Sequence, residues 1–333
     1  MFAAHVPQPD SQGSPIAMDK LVLDRRSLLK LSAVLGLAPS VLVARSTRVQ
    51  ASDAPAHRFS VGDAEITVLS DGHMELPLAN LAPDVPIDEV KKAFAEAGLP
   101  TNGHTSQVNV SLIRTGDDLI LVDTGGGLNF LATLGALVDR MDEADIDPAE
   151  ITKVVLTHAH PDHVWGIIDD FDESERFPNA SYTMCANEWD FWMAEDAASK
   201  VPEALYGFVS GAQRNLSPIA EKTERLAPDA EIAPGIHYVP TPGHTIGHCS
   251  VLVESGSEQV MITGDALTHQ VLAFEHPRWH YGMDQFPDQA VETRLALLDR
   301  LATDRIGIVA YHLPWPGVGR VETKGAVWRF AAG

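Results

Sequence analysis

Residues 154–163 read VVLTHAHPDH, an apolar run that ends in four potential metal ligands within six residues. The apolar run predicts a short buried strand. Because side chains two apart in an extended chain project to the same side, we expect His158 and His160 to face one cation together. Pro161 then turns the chain, so that Asp162 and His163 face a second cation. Imidazole and carboxylate groups suit zinc and similar divalent cations.

Three further candidate ligands lie in loop-like positions later in the chain. His244 lies in the segment TPGHT, where Pro and Gly predict a tight turn. Asp265 and His312 each follow an apolar strand-like run. Sites in open α/β sheets collect beyond the carboxyl ends of strands. An isolated His-x-His pair is weak evidence in a chain with 14 histidines, but seven ligands in this order are far more specific.

Several other histidines and both cysteines lack this context, and we do not expect them to bind metal. The histidines excluded as ligands are His57, His73, His104, His237, His248, His269, His276 and His280, of which the last three could lie near the pocket. Cys185 and Cys249 are 64 positions apart and outside any Cys-x-x-Cys pattern. One disulfide is open to them in an oxidising compartment, although two cysteines in a large domain are more often separate buried thiols, and the sequence leaves their pairing open.

Length and composition indicate one ordinary globular domain with an acidic surface. The 333 residues are 45% hydrophobic, and the formal net charge is -22. Such a charge repels nucleic-acid phosphates, so a nucleic-acid substrate is disfavoured. No Gly-x-Ser-x-Gly motif competes as a nucleophile site.

Short apolar runs alternate with helical patterns after residue 60. Strands are predicted at 65–70, 108–114 and 119–122, 153–156, 181–185, 236–239, 250–254, 259–262 and, as the last one, 306–310. Helical spacing is predicted at 129–143 and 289–301, with a helical insertion within 200–230. Strands on both sides of helices predict an α/β (α+β) fold, a four-layer αββα sandwich with two mixed β-sheets.

The N-terminal part of the chain has the pattern of an export signal. Residues 1 to about 20 are polar and predicted to be disordered. The segment DRRSLLK at 24–30 resembles the twin-arginine motif, and the apolar run 31–43 is too short to span a bilayer comfortably. Cleavage after Ala51 would leave 52–333 as a periplasmic hydrolase domain without stable membrane insertion.

The ordered ligand set resembles the metallo-β-lactamase superfamily in its dinuclear form. The resemblance covers roughly residue 60 to the C-terminus. It implies that His158, His160 and His244 hold one zinc ion, that Asp162, His163 and His312 hold the other, and that Asp265 bridges the two. It also implies that Asp123, in the segment VDTG, supports the ligands from outside their shell. Other divalent metals would suit the same groups.

A narrower resemblance points to the branch of methyl parathion hydrolase and quorum-quenching lactonases. It is carried by LSDG at 69–72, the Asp190-Phe191-Trp192 helix, Gly207-Phe208 and HLPWPGVG at 312–319. In that branch aromatic side chains line the pocket, which implies this role for Trp192 and Phe208. Residues 274–284 depart from the parathion enzymes, since Trp279, His280 and Tyr281 are additional. The resemblance is compatible with a homodimer.

These features predict a metal-dependent hydrolase acting on a small molecule. Two cations would share a hydroxide that opens a lactone or ester, and phosphotriesters could also serve. Asp162 is both a ligand and a candidate to pass the proton to the leaving alcohol. The alternatives are a β-lactamase, a thioesterase like glyoxalase II, or a periplasmic metal-binding protein without catalysis.

Overall fold

The fold consists of two seven-stranded β-sheets that pack face to face between helices. A computed structural model describes residues 56–333. The predicted leader and twin-arginine signal, residues 1–51, lie outside the described residues. Among the helices that are described, none is both long and apolar enough to cross a bilayer.

The first sheet holds its strands in chain order. They are β1 (Ala56–Val61), β2 (Ala64–Leu76), β3 (His104–Thr115), β4 (Asp118–Val122), β5 (Lys153–Leu156), β6 (Ser181–Cys185) and β7 (Thr223–Leu226). The first four strands are antiparallel neighbours, and β4 to β7 run parallel. This sheet is therefore mixed.

The second sheet also follows chain order. Its strands are β8 (Glu231–Ala233), β9 (Ile236–Pro240), β10 (Cys249–Ser255), β11 (Glu258–Ile262), β12 (Gly307–Val309), β13 (Val318–Lys324) and β14 (Val327–Ala332). All neighbours are antiparallel except β11 and β12. Strands β11 and β12 run parallel, and the connection between them contains a long helix. A parallel pair needs such a long crossover connection.

Eight α-helices accompany the sheets in the described residues. They are α1 (Leu78–Leu81), α2 (Ile87–Glu96), α3 (Leu137–Glu143), α4 (Pro161–Val164), α5 (Ala186–Trp192), α6 (Tyr206–Leu216), α7 (Leu272–Glu275) and α8 (Pro287–Asp304). Helices α3, α5 and α6 pack in one hydrophobic cluster with the outer face of the first sheet. Helices α7 and α8 cover the second sheet. The predicted αββα layering is confirmed.

The central strands contain continuous apolar runs because both of their faces are buried. In β4, Leu119 and Leu121 pack against the helices, whereas Ile120 and Val122 enter the layer between the sheets. In β11, Val260 and Ile262 enter the same inner layer, and Met261 packs under the helices of the second sheet. Side chains alternate along a strand, so a strand covered on both faces needs a continuous apolar run.

Two elements differ from the prediction at their boundaries. The helix predicted at 129–143 begins only at Leu137, because Gly135 has a positive φ of 91° and the Asp71 carboxylate accepts the Leu137 N–H at 3.0 Å. The apolar spacing upstream of Gly135 belongs to a loop. The predicted last strand is β12, and the hairpin of β13 and β14 follows it.

The structure settles the pairing of the two cysteines, which the sequence leaves open. Cys185 at the end of β6 is joined to Cys249 at the start of β10 by a disulfide. Both side chains are buried in the layer between the sheets, where their strands face each other. A sequence separation of 64 residues does not indicate that the two cysteines lie close together across that layer.

Reduction of this disulfide should destabilise the protein. A cross-link that closes a loop of this length contributes about 4 kcal/mol by restricting the unfolded chain. We expect no free thiol in protein denatured without reductant, and a lower Tm once reductant is added. The double variant Cys185→Ala/Cys249→Ala is the control, because its Tm should not respond to reductant. Two titratable thiols in the untreated protein would contradict the assignment.

Candidate metal centre

The segment predicted to carry four ligands forms the exit of β5 and the start of α4. After Leu156 the chain bends at Thr157 and continues without regular structure to His160, whose φ and ψ of -70° and 157° are those of extended backbone. Pro161 then occupies the first turn of α4, a position that needs no backbone N–H and that disfavours a helical residue before it. His158 and His160 therefore leave from the irregular segment after β5, whereas Asp162 and His163 leave from the helix.

The other three candidates come from loops of the second sheet. His244 lies between β9 and β10, next to Gly243 with a φ of 128°. Asp265 lies in a short turn after β11, and His312 follows β12 by three residues. Gly264, beside Asp265, has a positive φ of 48°, and a Cβ there would lie 2.7 Å from His248 Nε2. A glycine is thus required where this turn approaches the histidine.

The structure brings all seven predicted side chains together. His158, His160 and His244 form one group whose ligand atoms lie within 4.8 Å of one another, and Asp162, His163 and His312 form a second such group. Asp265 faces both groups. Its Oδ2 lies 3.1 Å from His244 Nε2, and its Oδ1 lies 3.2 Å from the Nε2 atoms of both His163 and His312.

The seven side chains are buried, and their charges strongly influence one another. Burial alone would lower the pKa of His244, but the Asp265 and Asp284 carboxylates raise it to about 9. Burial would also lower the pKa of His312, but the Asp265 and Asp162 carboxylates raise it to about 10. Burial would raise the pKa of Asp265, yet the surrounding imidazoles hold it well below its usual range. The carboxylates of the cluster are therefore ionised.

Unpaired polar atoms at the centre of the cluster fit a cation. Atoms of the cluster that are buried without a hydrogen-bond partner include His158 Nε2, His163 Nε2, Asp162 Oδ2 and Asp265 Oδ1. His160 faces the cluster with Nδ1, which lies 2.9 Å from His244 Nε2. Each unpaired atom costs about 1–3 kcal/mol when it is left without a partner. All four are electron-pair donors of the kind that divalent metals accept. The residues present therefore suit a pair of cations.

Four imidazoles are held by their outer nitrogen, which leaves Nε2 for the centre. His163 Nδ1 donates to Asp123 Oδ2 at 2.8 Å, His244 Nδ1 to Asp284 Oδ1 at 3.0 Å, and His312 Nδ1 to the Gln107 carbonyl at 2.8 Å. His158 Nδ1 lies 3.1 Å from Thr157 Oγ1. Hydrogen bonds at Nδ1 select the tautomer with a free Nε2, as in protein metal sites.

Asp123 lies behind the predicted ligands, as the resemblance implied. Its Oδ1 accepts the Thr157 N–H at 2.8 Å, and its Oδ2 accepts the Thr157 hydroxyl at 2.8 Å as well as His163 Nδ1. The Thr157 hydroxyl donates to Asp123 and so accepts from His158. One buried carboxylate thereby orients His158 and His163.

Sequence reasoning missed two supports on the side of the second sheet. His248 Nε2 accepts the backbone N–H of Asp265 at 2.9 Å. Burial, with the neighbouring His244, lowers the pKa of His248 to about 3, so this imidazole stays neutral and can accept. Asp284, behind His244, is bound in turn by buried Arg294 at 3.0 Å. No spacing pattern marks these residues; only the additional segment 274–284 indicated a local difference.

The two predicted pocket aromatics occupy different environments. Trp192 is fully buried, its ring centroid 5.6 Å from that of His160, and its indole N–H donates to Glu188. It therefore has no surface with which to line a pocket. Phe208 is half-buried. Its ring centroid lies 5.5 Å from that of His160 and 6.0 Å from that of Phe130. Of the two, Phe208 has the exposed surface that a pocket wall needs.

Comparisons with known proteins agree with this geometry. The chain is similar to AidC, a dizinc quorum-quenching lactonase solved with a product, at 29% identity and a TM-score of 0.78, over 84% of this chain and 97% of that one. It resembles the hydrolase AbOPH at 28% identity and a TM-score of 0.79, over the same shares. A probable metallo-hydrolase of Mycobacterium bovis is 25% identical over 287 residues, covering 73% of this chain and 86% of the relative.

The family assignment rests on the match to a family profile. The profile of the metallo-beta-lactamase superfamily matches residues 104–312, which include all seven clustered side chains and Asp123. These residues make up more than half of the chain. The chain therefore belongs to the metallo-beta-lactamase superfamily.

Proposed function

We propose that this protein is a dinuclear metal-dependent hydrolase that opens lactones or related esters. One observation carries the proposal: the Asp265 carboxylate presents one oxygen to each of two buried ligand groups. His158, His160 and His244 would hold one cation and Asp162, His163 and His312 the other, with Asp265 shared. Nitrogen and oxygen donors favour zinc, and other divalent metals fit the same set.

The chemistry divides between the bound ions and the chain. A pair of bound cations supplies an activated water and electrophilic assistance to the substrate carbonyl. The chain keeps four of the five ligand imidazoles oriented through their outer nitrogens, so little reorganisation is needed during the reaction. Asp162 Oδ2 lies at the centre of the cluster, 3.3 Å from His312 Nε2, where a carboxylate can take up a proton and pass it to the leaving alcohol.

Lactones are the substrate class with the best support. AidC is a quorum-quenching lactonase and aligns over nearly its whole length with this chain. A shared carboxylate such as Asp265 is expected in lactonases and phosphotriesterases rather than in true β-lactamases. The half-buried Phe208 beside His160 offers an apolar surface to an acyl or aryl group. Phosphotriesters form a second substrate class within the same proposal.

A rate panel on metal-replete protein tests the function. The panel includes acyl-homoserine lactones, aryl lactones, aryl esters, phosphotriesters, a glutathione thioester and a cephalosporin. We expect the highest kcat/KM on a lactone, and loss of all activities on removal of the metals with a chelator. A higher value for the cephalosporin or the thioester would overturn the lactonase assignment. Bound metal without turnover of any substrate would favour a metal-binding protein.

Replacing the shared carboxylate should remove metal and activity together. Asp265→Ala leaves His244, His163 and His312 without their common anion. We expect loss of at least one bound metal and a fall in kcat of more than about 100-fold, since losing a supporting group alone costs about 10–100-fold in metal affinity or activity. Metal analysis of dialysed protein gives the occupancy. Asp117→Ala, at an exposed hairpin, is the control; full occupancy and rate in Asp265→Ala would refute the assignment.

The proton-transfer role of Asp162 predicts a dependence on the leaving group. Asp162→Asn keeps an oxygen ligand but removes the basic carboxylate. Rates on aryl esters should therefore fall more for poor leaving groups than for good ones, because only poor ones need a proton as they depart. The measurement is kcat against the pKa of the leaving phenol at full metal occupancy. Equal slowing across the series would argue for a ligand role alone.

We also propose that the protein is exported by the twin-arginine route. The arginine pair at 25–26 and the apolar run 31–43 support this. The disulfide between Cys185 and Cys249 supports it independently, because such bonds persist in oxidising compartments. Replacing both arginines by lysine should keep the precursor in the cytoplasm, as judged by cell fractionation and immunoblotting. Unchanged periplasmic recovery would exclude the twin-arginine route.

A further inference from the structure

Glu188 is a buried carboxylate beside the metal centre with an unusually complete set of donors. It lies in the first turn of α5, and its side chain is fully buried. Oε1 accepts the Ala159 N–H at 3.1 Å and the Trp192 indole N–H at 2.7 Å. Oε2 accepts the Thr245 hydroxyl and the Gly247 N–H, both at 2.8 Å. Four neutral groups thus converge on a single side chain.

Three of the four donors belong to the two segments that carry one ligand group, and the fourth, Trp192, lies on α5 itself. Ala159 lies between His158 and His160, and Thr245 follows His244 directly. Glu188 therefore connects, through one carboxylate, the strand exit of the first sheet with the β9–β10 loop of the second. The second group is oriented from elsewhere: His163 by Asp123, and His312 by a backbone carbonyl.

The hydrogen-bonding pattern fits an ionised carboxylate. Backbone and indole N–H groups can only donate, so at least three of the four contacts require an acceptor on Glu188. A protonated carboxyl would need an acceptor for its own proton, and only the Thr245 hydroxyl could serve. Burial raises the pKa of Glu188, and the hydrogen bonds from Thr245, Ala159, Gly247 and Trp192 act against that rise. The negative charge also favours a cation nearby.

The surrounding structure brings the β9–β10 loop into close contact with α5. A Cβ at Gly247 would lie 2.4 Å from the backbone nitrogen of Glu188, so only glycine permits this approach. The disulfide from Cys185, the residue before α5, to Cys249 joins the same two segments. Trp192, one turn after Glu188, packs its ring against His160. Glu188 therefore has little freedom to move relative to the ligands.

We propose that Glu188 is a positioning residue that sets the affinity of the cation group formed by His158, His160 and His244. The inference rests on the proposed dinuclear site. Substitution by glutamine is the sharpest change, because it keeps the size of the side chain. The amide nitrogen would then face either the N–H groups of Ala159 and Trp192 or the Gly247 N–H beside the Thr245 hydroxyl, so at least one obligatory donor would lose its acceptor. The strand exit or the His244 loop must shift in response. We expect the group of Asp162, His163 and His312 to move little.

Binding of cadmium, followed site by site, tests the inference. Wild type, Glu188→Gln and Glu195→Gln are stripped of metal and titrated with ¹¹³Cd²⁺, with NMR resonances from the three-imidazole group and the Asp162 group read separately. Glu195→Gln is the matched control, since it makes the same change at an exposed position just beyond α5. In Glu188→Gln we expect affinity at the three-imidazole group to fall by about 10–100-fold. We expect cadmium affinity to stay within about threefold of wild type at the Asp162 group of Glu188→Gln and at both groups of Glu195→Gln. Such a change is smaller than the loss of about 10–100-fold expected at the three-imidazole group.

Each other outcome has a distinct meaning. Equal weakening of both groups in Glu188→Gln, or no weakening, would overturn the positioning role, even if Tm falls. Failure of the wild type to bind cadmium would instead overturn the proposed function. If Glu188→Gln does not fold, Thr245→Val removes a single donor to Oε2. It should weaken the three-imidazole group alone, and an unchanged affinity there would count against the inference.

Discussion

The contacts of the Asp265 carboxylate across the boundary between the two sheets are the constraint on which the site depends. The first sheet supplies His158, His160, Asp162 and His163, and the second supplies His244, Asp265 and His312. Neither sheet alone places three ligands around both positions. The inner hydrophobic layer that joins the sheets therefore has a functional consequence, because it sets the distance between the two halves of the centre.

Several contacts hold the sheets together at the end where the site lies. The Cys249 N–H donates to the Thr157 carbonyl at 3.1 Å, directly beside the Cys185 disulfide. The buried Tyr238 hydroxyl of the second sheet lies 3.1 Å from the Leu156 carbonyl and 3.0 Å from that of Thr183 in the first. These contacts lie among apolar side chains, where an unmade hydrogen bond is costly. The strand exits are consequently rigid platforms for the ligands.

A cluster of five imidazoles and two carboxylates would be unfavourable in a protein interior without outer support. That support comes from buried carboxylates of three separate segments: Asp123, Glu188 and Asp284. Each accepts hydrogen bonds from the ligands or from the backbone beside them. Their negative charges lie around the same centre, so they both orient the imidazoles and favour positive ions there. Metal binding is thus a property of the wider polar network as much as of the seven ligands.

The seven clustered side chains and the layered fold were predictable from the sequence. Spacing alone brings His158, His160, Asp162 and His163 together, and continuous apolar runs predict strands that are buried on both faces. Asp123 was recognisable because it lies in a family motif at a strand end. Local spacing and strand periodicity are short-range properties, so they can be read directly from the chain.

The supporting residues, the cysteine pairing and the positions of the aromatic side chains could be seen only in the folded structure. Glu188, His248 and Asp284 act on partners up to 59 residues away, with no periodic pattern to indicate them. Cys185 and Cys249 pair because β6 and β10 face each other across the inner layer. Trp192 is buried, although its position in sequence resembles that of a pocket residue. Such contacts depend on how two sheets pack, which local sequence does not specify.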